Sequence, residues 1–175
     1  MNEPLLGKNK PIDEPFPVIA FDLGSNTGWA WRGRGSTMQE FIFSGVQKFP
    51  LLRGDSMGMR FLRFKGWVEE MLARTNARIV AYEAAIGFHK SLYAGQLAHG
   101  FEGILQCIIA DRNLECLNVT PSELKRDATG KGNANKEAMI AAAQILYPKS
   151  KIDNDNQADA LLILNFAEKT LRGRQ

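Results

Sequence analysis

The sequence has little cysteine and histidine, and it has no long apolar run. Its two cysteines, Cys107 and Cys116, fall in different predicted elements without metal-site spacing, so we expect reduced, buried thiols. No apolar stretch approaches the roughly 20 residues that span a bilayer, and the N-terminus lacks the apolar segment of a signal peptide. These absences exclude a disulfide scaffold and an integral membrane protein. We therefore expect a soluble, cytoplasmic protein with no membrane partner.

Charge and length set further limits. Lys and Arg total 22 against 19 Asp and Glu, and a net charge of +3 does not by itself argue for nucleic acid. With 175 residues, 45% of them hydrophobic, the chain is long enough for one domain with a proper core and short for two. Residues 1–17 hold four prolines and no periodic apolar pattern. We expect a disordered leader there, followed by a single domain over residues 18–175.

Apolar patterning predicts an α/β domain. Short apolar runs predict strands over residues 18–23, 29–32, 41–46, 77–82 and 114–119. Helical periodicity, with Thr120 and Pro121 as a helix start, predicts helices over residues 57–74, 91–112, 121–126, 136–146 and 156–171. The first three strands follow one another and predict an antiparallel meander. The last two are reached through helices, which favours parallel strands with right-handed crossovers.

Two of the predicted helices carry further information. The helix over 57–74 is amphipathic, and Arg60 and Arg63 fall on its polar face. The helix over 91–112 is apolar on several sides and carries small residues that permit close approach of a neighbour: Ala94, Gly95, Ala98, Gly100 and Gly103. We expect this helix to be central to the fold or shared with a second subunit.

Acidic residues stand where buried elements end. Asp22 closes the first apolar run, and Glu83 follows the fourth. Because ligand sites in open α/β sheets form at the carboxyl ends of parallel strands, we expect both acids in one crevice. Asp155 and Asp159 are four residues apart, which places them on one face of the last helix. Carboxylates gathered this closely repel one another unless a hard cation neutralises them, which favours Mg²⁺ or Mn²⁺.

Two of these acids also have an ordinary alternative role. Asp155, between two asparagines, suits a helix N-cap, and Glu83 suits a solvated loop. Asp22 is harder to explain in this way, because an acid at the end of an apolar strand costs free energy unless it is paired or bound to a metal.

The segment LKRDATGKGNANK, residues 124–136, is basic and glycine-containing. Its cationic residues are Lys125, Arg126, Lys131 and Lys136. The backbone N–H groups of its two glycines can approach phosphate oxygens. Alone, such a segment is an ordinary polar loop. Beside a carboxylate cluster it suits a phosphodiester backbone, and the combination indicates phosphodiester cleavage.

Taken in order, the motifs resemble the RuvC-type Holliday junction resolvases, particularly their phage-associated branch, within the ribonuclease H-like superfamily. The matching stretches are FDLGSNTGWAW, VAYE, VTPSELKRDATGKGNANKEAM and DNQADALLIL. The resemblance implies a five-stranded mixed sheet, an antiparallel three-strand meander plus two parallel strands, flanked by helices. It also implies a metal-dependent endonuclease that acts on branched DNA as a homodimer.

The resemblance assigns roles to the four acids. Asp22 matches the acid of the first strand, Glu83 the acid ending the fourth, and Asp159 the last acid. The bacterial pattern of the family has an aspartate three residues before that last acid, where this chain has Asn156, so the role passes to Asp155. The implied cofactor is a pair of Mg²⁺ ions held by the four acids, with Mn²⁺ as a substitute. One ion activates water and the other stabilises the leaving 3′-oxygen, so that cleavage leaves a 5′-phosphate.

The resemblance also assigns DNA contacts. Lys125 and Lys136 match residues that contact DNA near the scissile phosphate, and we expect Arg126 and Lys131 beside them. An aromatic residue after the second acid separates strands at the junction in this family, and Phe88, or alternatively Ile86, corresponds to it. The mechanism needs no protein nucleophile.

Histidines and rival functions complete the sequence picture. We expect His89 and His99 to be surface or packing residues.

DLGSNTG also resembles the phosphate loop of the actin and sugar-kinase superfamily and of exopolyphosphatases, but the chain has neither the length nor a second such motif. The other rival is a non-catalytic DNA-binding protein on the same fold, which Asn156 favours. The sequence leaves open whether branched or plain duplex DNA is preferred.

Overall fold

A five-stranded mixed sheet lies at the centre of the computed structural model, which describes residues 17–34, 40–86 and 92–174. In chain order the elements are β1 (Val18–Asp22), β2 (Asn26–Arg34), β3 (Glu40–Lys48), α1 (Met57–Thr75), β4 (Ile79–Glu83), α2 (Leu92–Asp111), β5 (Glu115–Val119), α3 (Pro121–Thr129), α4 (Lys136–Leu146) and α5 (Asp155–Arg172). The strand order is β3-β2-β1-β4-β5. β1, β2 and β3 pair antiparallel, whereas β4 is parallel to both β1 and β5. The predicted fold class and mixed sheet are confirmed.

The two faces of the sheet bury separate cores, and β1 contributes to both. Val18 and Ala20 pack with α4 and α5, whereas Ile19 and Phe21 pack with α1 and α2. Successive side chains of a strand point to opposite faces. The next residue, Asp22, therefore continues the series that faces α5.

The long helix α2 is central, as one of the two alternatives predicted. Leu97, Phe101 and Leu105 are buried, and the Phe101 ring stacks on Phe64 of α1 with centroids 4.0 Å apart. Gly100 explains the close approach, since a Cβ there would lie 2.4 Å from the Phe61 ring. The neighbour that this glycine admits is thus α1 of the same chain.

The ends of β2, β3 and α3 differ from the predicted bounds. β2 and β3 each have nine residues, because they pair continuously from Asn26 with Lys48 to Arg34 with Glu40. α3 begins as predicted, with Thr120 as N-cap in a capping box, but continues to Thr129.

Three predicted exposures are wrong. Arg60, expected on the polar face of its helix, is only 3% exposed, because α2 crosses that face and the Arg60 guanidinium donates to the Tyr93 hydroxyl at 2.9 Å. Cys107 and Cys116 are free thiols, as expected, but both are exposed. Cys107 lies on the outer face of α2, and Cys116 lies on β5, an edge strand.

Other predictions fall on parts of the chain that the structure does not describe. Phe88 and His89 lie outside the described residues, and so does the predicted leader apart from Pro17. The Pro17 carbonyl accepts the Arg78 N–H at 3.0 Å. Among the described helices, none combines the length and the apolar character needed to cross a membrane.

Candidate active site

Two of the predicted acids end neighbouring parallel strands. Asp22 is the last residue of β1, and Glu83 is the last residue of β4. The register pairs Phe21 with Tyr82, so the two acids stand side by side at one edge of the sheet. Each acid comes two residues after a side chain that faces the α5 core, Ala20 in β1 and Ala81 in β4, and side chains two positions apart on a strand point to the same face.

The first two turns of α5 bring the other two acids. The Asn154 side chain caps the helix by accepting the Gln157 N–H at 2.9 Å. Asp155 is therefore the first helical residue rather than the cap, and Asp159 lies one turn later. Asp22, Glu83, Asp155 and Asp159 all line one cleft of about 590 Å³, together with Asn156. The structure thus brings together the four acids that the sequence singled out.

Gly28 of β2 determines how closely α5 approaches the sheet. A Cβ at this position would lie 1.9 Å from the backbone carbonyl oxygen of Asn156 and 3.3 Å from the Cβ of Ala160. Gly28 also pairs with Asp22 across the β1–β2 ladder. This role was missed at the sequence level, although a glycine inside a strand often marks close approach of another backbone.

The acids of the cleft raise one another's pKa values. The pKa of Asp22 lies well above its ordinary value because protein surrounds the carboxyl and because Asp159, Glu83 and Asp155 are close. Desolvation followed by the charge of Asp159 raises the pKa of Glu83 to about 7. Desolvation followed by the charge of Asp155 raises the pKa of Asp159 to about 6. The charge of Lys125 opposes the shift of Glu83, and the charges of Lys136 and Lys125 oppose that of Asp159.

Asp155 behaves differently from the other three acids. The Lys136 ammonium group, from the first turn of α4, donates a hydrogen bond to the Asp155 carboxylate. This contact is the main cause that holds the pKa of Asp155 below its ordinary value. Asp155 is thus an ionised partner of Lys136, whereas the pKa values of the other three acids of the cleft are raised.

The donor set fits a hard divalent cation. The acids offer only carboxylate oxygens, which Mg²⁺ and Mn²⁺ prefer, and Asp159 Oδ1 is buried without a hydrogen-bond partner in the described structure. Within the described residues, however, no three Asp, Glu, His or Cys side chains already stand as a formed metal cage. Metal binding here requires the carboxylates to turn toward a common point.

The predicted basic residues divide into two groups. Lys125 and Lys136 line a second cleft of about 460 Å³, which shares Glu83 and Asp159 with the first. Arg126 and Lys131 line neither cleft and are exposed near the end of α3. Two of the four cations therefore reach the acids.

Two further predicted residues can be placed. Ile86, the alternative to Phe88, lines the acid cleft and is 54% exposed. His99 lies on the exposed surface of α2.

Comparison with known proteins agrees with this geometry. The family model described as crossover junction endodeoxyribonuclease RuvC matches residues 21–165. The chain belongs to the RuvC family. A RuvC crossover junction endodeoxyribonuclease from Rickettsia felis is 26% identical over 149 residues, covering 83% of this chain and 93% of that protein. The predicted family and its nuclease class are confirmed, and the phosphate-loop alternative is set aside.

Solved structures show the same fold. Thermus thermophilus RuvC in complex with a Holliday junction substrate has a TM-score of 0.73 at 20% identity, covering 90% of this chain and 96% of that one. A yeast mitochondrial Holliday junction resolvase has a TM-score of 0.56 at 13% identity, covering 94% of this chain and 89% of that one. The predicted ribonuclease H-like architecture is thus confirmed.

Repulsion among the acids predicts that Asp22→Asn stabilises the metal-free protein. Since Glu83 and Asp159 have raised pKa values, the native state binds more protons than the unfolded chain, and stability falls as pH rises from about 4 through 7. Asp22→Asn should reduce this loss of stability with pH and raise the Tm at pH 7.5 in EDTA. For a chain of this size, a gain of about 1 kcal/mol in the free energy of unfolding corresponds to roughly 2–4 °C in Tm. Thermal unfolding at pH 5 and pH 7.5 measures both effects.

The control is Glu70→Gln, which removes an exposed charge from α1. It should leave the Tm nearly unchanged. An equal response of both variants would contradict the repulsion.

The contact at Gly28 predicts that Gly28→Ala displaces the start of α5. The added methyl group overlaps a backbone carbonyl, which we expect to cost about 1–3 kcal/mol in the free energy of unfolding and to lower cleavage at least tenfold. Gly66→Ala is the matched control. Gly66 is an exposed residue of α1, and a Cβ there would meet nothing within 4 Å, so this substitution should stabilise the helix. Urea unfolding and a cleavage assay compare the two, and full activity in Gly28→Ala would refute this role.

Proposed function

We propose that this protein is a divalent-metal-dependent endonuclease that cleaves phosphodiester bonds in branched DNA such as Holliday junctions. One observation carries the proposal: Asp22, Glu83 and Asp159 converge in a cleft that Lys125 and Lys136 border. Membership of the RuvC family supports the reaction class. The junction-bound relative from Thermus thermophilus supports the choice of substrate.

The acids of the cleft prepare it for a cation. Asp22, Glu83 and Asp159 would hold two Mg²⁺ ions in our proposal, and Mn²⁺ could substitute for Mg²⁺. Asp155 would become a further ligand once it is released from Lys136. Bound metal supplies the Lewis acidity for attack by water and departure of the 3′-oxygen. The acids must be ionised to bind it, so the raised pKa values of Glu83 and Asp159 make activity rise with pH through about 6 to 7.

The lysines bind the DNA backbone. Lys136 can exchange the Asp155 carboxylate for a phosphate oxygen, since both are anionic acceptors and its side chain is exposed. Lys125 stands one turn into α3 and lines the cleft that contains Glu83 and Asp159. Arg126 and Lys131 extend the cationic surface beyond the cleft, where they would contact phosphates farther from the cut.

We also propose that the protein acts as a homodimer. A four-way junction must be cut on two strands, and two copies related by a two-fold axis present two equivalent clefts. The exposed apolar surface at the start of α2, with Leu92 at 81% exposure, is consistent with a subunit contact. The strand-separating role of Phe88 or Ile86 stays a prediction.

A cleavage panel tests the function. Four-way junctions, forks, flaps and plain duplexes are incubated with wild type and Asp22→Asn, with Mg²⁺, with Mn²⁺ and with EDTA. We expect metal-dependent cutting of branched DNA and a loss of about 100-fold or more in Asp22→Asn, whose junction binding persists. Junction binding without cleavage in either metal would favour the non-catalytic alternative.

The salt dependence of binding tests the role of Lys125. Loss of one phosphate contact should lower the slope of log K against log salt by about 1, so Lys125→Ala should bind junctions less tightly and with a shallower slope. The control is Lys65→Ala on α1, whose side chain pairs with Glu69 and lies in neither cleft. Equal slopes for the two variants would remove Lys125 from the DNA contacts.

A further inference from the structure

The segment that follows the β4 acid is held by three successive backbone hydrogen bonds. The Ala84 N–H donates to the Val119 carbonyl at 2.9 Å, and the Ile86 N–H donates to the Ala84 carbonyl at 2.8 Å. The N–H between them, on Ala85, donates to Oε2 of Glu102 at 3.4 Å. Of these three acceptors, only the Glu102 carboxylate belongs to a side chain. It therefore joins α2 to the loop.

Glu102 is placed to hold this contact. It lies in the middle of α2 between the fully buried Phe101 and Leu105, and its side chain is 16% exposed. His99, one turn earlier, lies 3.8 Å from the same carboxylate oxygen. At 3.4 Å the Ala85 N–H contact is a long hydrogen bond, and its acceptor is an oxygen of the Glu102 carboxylate.

A second side chain of α2 contacts β4 on the other side of the acid. Gln106, one turn after Glu102, donates to the Tyr82 hydroxyl at 3.0 Å. The two contacts lie on either side of Glu83 in the chain. Gln106 contacts Tyr82, the residue before it, and Glu102 contacts Ala85, two residues after it. Gln106 acts on the side chain of a strand residue that is already paired with β5, whereas Glu102 acts on the backbone of the loop.

The segment that follows Glu83 forms part of the acid cleft. Residues 84–86 line it beside Glu83 and Asp22. The charges that shift the pKa of Glu83 come from Asp159 and Lys125 and not from Glu102, so the contact between Glu102 and this segment is the one to the Ala85 backbone.

We propose that Glu102 is a positioning residue whose carboxylate fixes residues 84–86 and thereby holds the Glu83 carboxylate toward Asp22 and Asp159. The inference rests on the proposed function of the cleft as a metal site. It requires an acceptor oxygen at position 102 but not a negative charge. Glutamine keeps the acceptor, and alanine removes it.

The experiment compares Glu102→Ala and Glu102→Gln with wild type by three measurements on the full chain. These are amide hydrogen exchange of residues 84–86, Mn²⁺ binding followed by its EPR signal, and junction cleavage against Mg²⁺ concentration. In Glu102→Ala we expect faster exchange at Ala85, about tenfold weaker Mn²⁺ binding, and cleavage that recovers at high Mg²⁺. Glu102→Gln should remain within about twofold of wild type in each measurement.

Gln106→Ala is the matched control, because it removes the neighbouring contact of the same helix and leaves the Ala85 N–H bonded. It should lower the Tm without weakening Mn²⁺ binding. Unchanged exchange and Mn²⁺ affinity in Glu102→Ala would overturn the proposal, and so would equal losses in the alanine and glutamine variants. If wild type neither binds Mn²⁺ nor cuts DNA, the proposed function fails, and the exchange data still decide whether Glu102 holds the loop.

Discussion

The first turn of α5 lies directly against β2, because Gly28 has no side chain to hold it away. Gly28 is also the residue paired with Asp22, so the same point of the sheet carries one acid on β1 and supports the helix that brings two more. The parallel pairing of β1 with β4 then places Glu83 beside Asp22. Convergence of these acids therefore depends on strand pairing and on one close backbone contact between Gly28 and α5, rather than on attraction between the groups themselves.

Bringing the acids together costs electrostatic free energy, and this cost is visible in the pKa values of the site. Burial and mutual repulsion raise the pKa values of Asp22, Glu83 and Asp159, which favours their protonated forms in the metal-free protein. Only Asp155 escapes, because Lys136 neutralises it. A divalent cation would remove the repulsion for all of them at once. The lysine would then be available to a phosphate, so that metal and DNA binding would support each other.

The sequence predicts most of this arrangement where the signals are local. Asp22 and Glu83 could be recognised because each ends a short apolar run, and the rule for parallel strands brings such ends together. Gly28 could not be assigned its role, since the group that needs the space is a backbone carbonyl of α5, more than a hundred residues later. Arg60 was misplaced because its exposure depends on where α2 crosses α1. The pairing of Lys136 with Asp155 likewise depends on how α4 and α5 meet, which periodicity within either helix does not specify.

The central claim is that these separated acids share a cation. Diffraction from crystals soaked in Mn²⁺, recorded at a wavelength where manganese scatters anomalously, tests it most directly. The account predicts anomalous density in the cleft within coordination distance of Asp22, Glu83 and Asp159, with Lys136 no longer bonded to Asp155. Manganese bound only elsewhere, or a cleft whose acids and lysine keep their present contacts at saturating Mn²⁺, would contradict it.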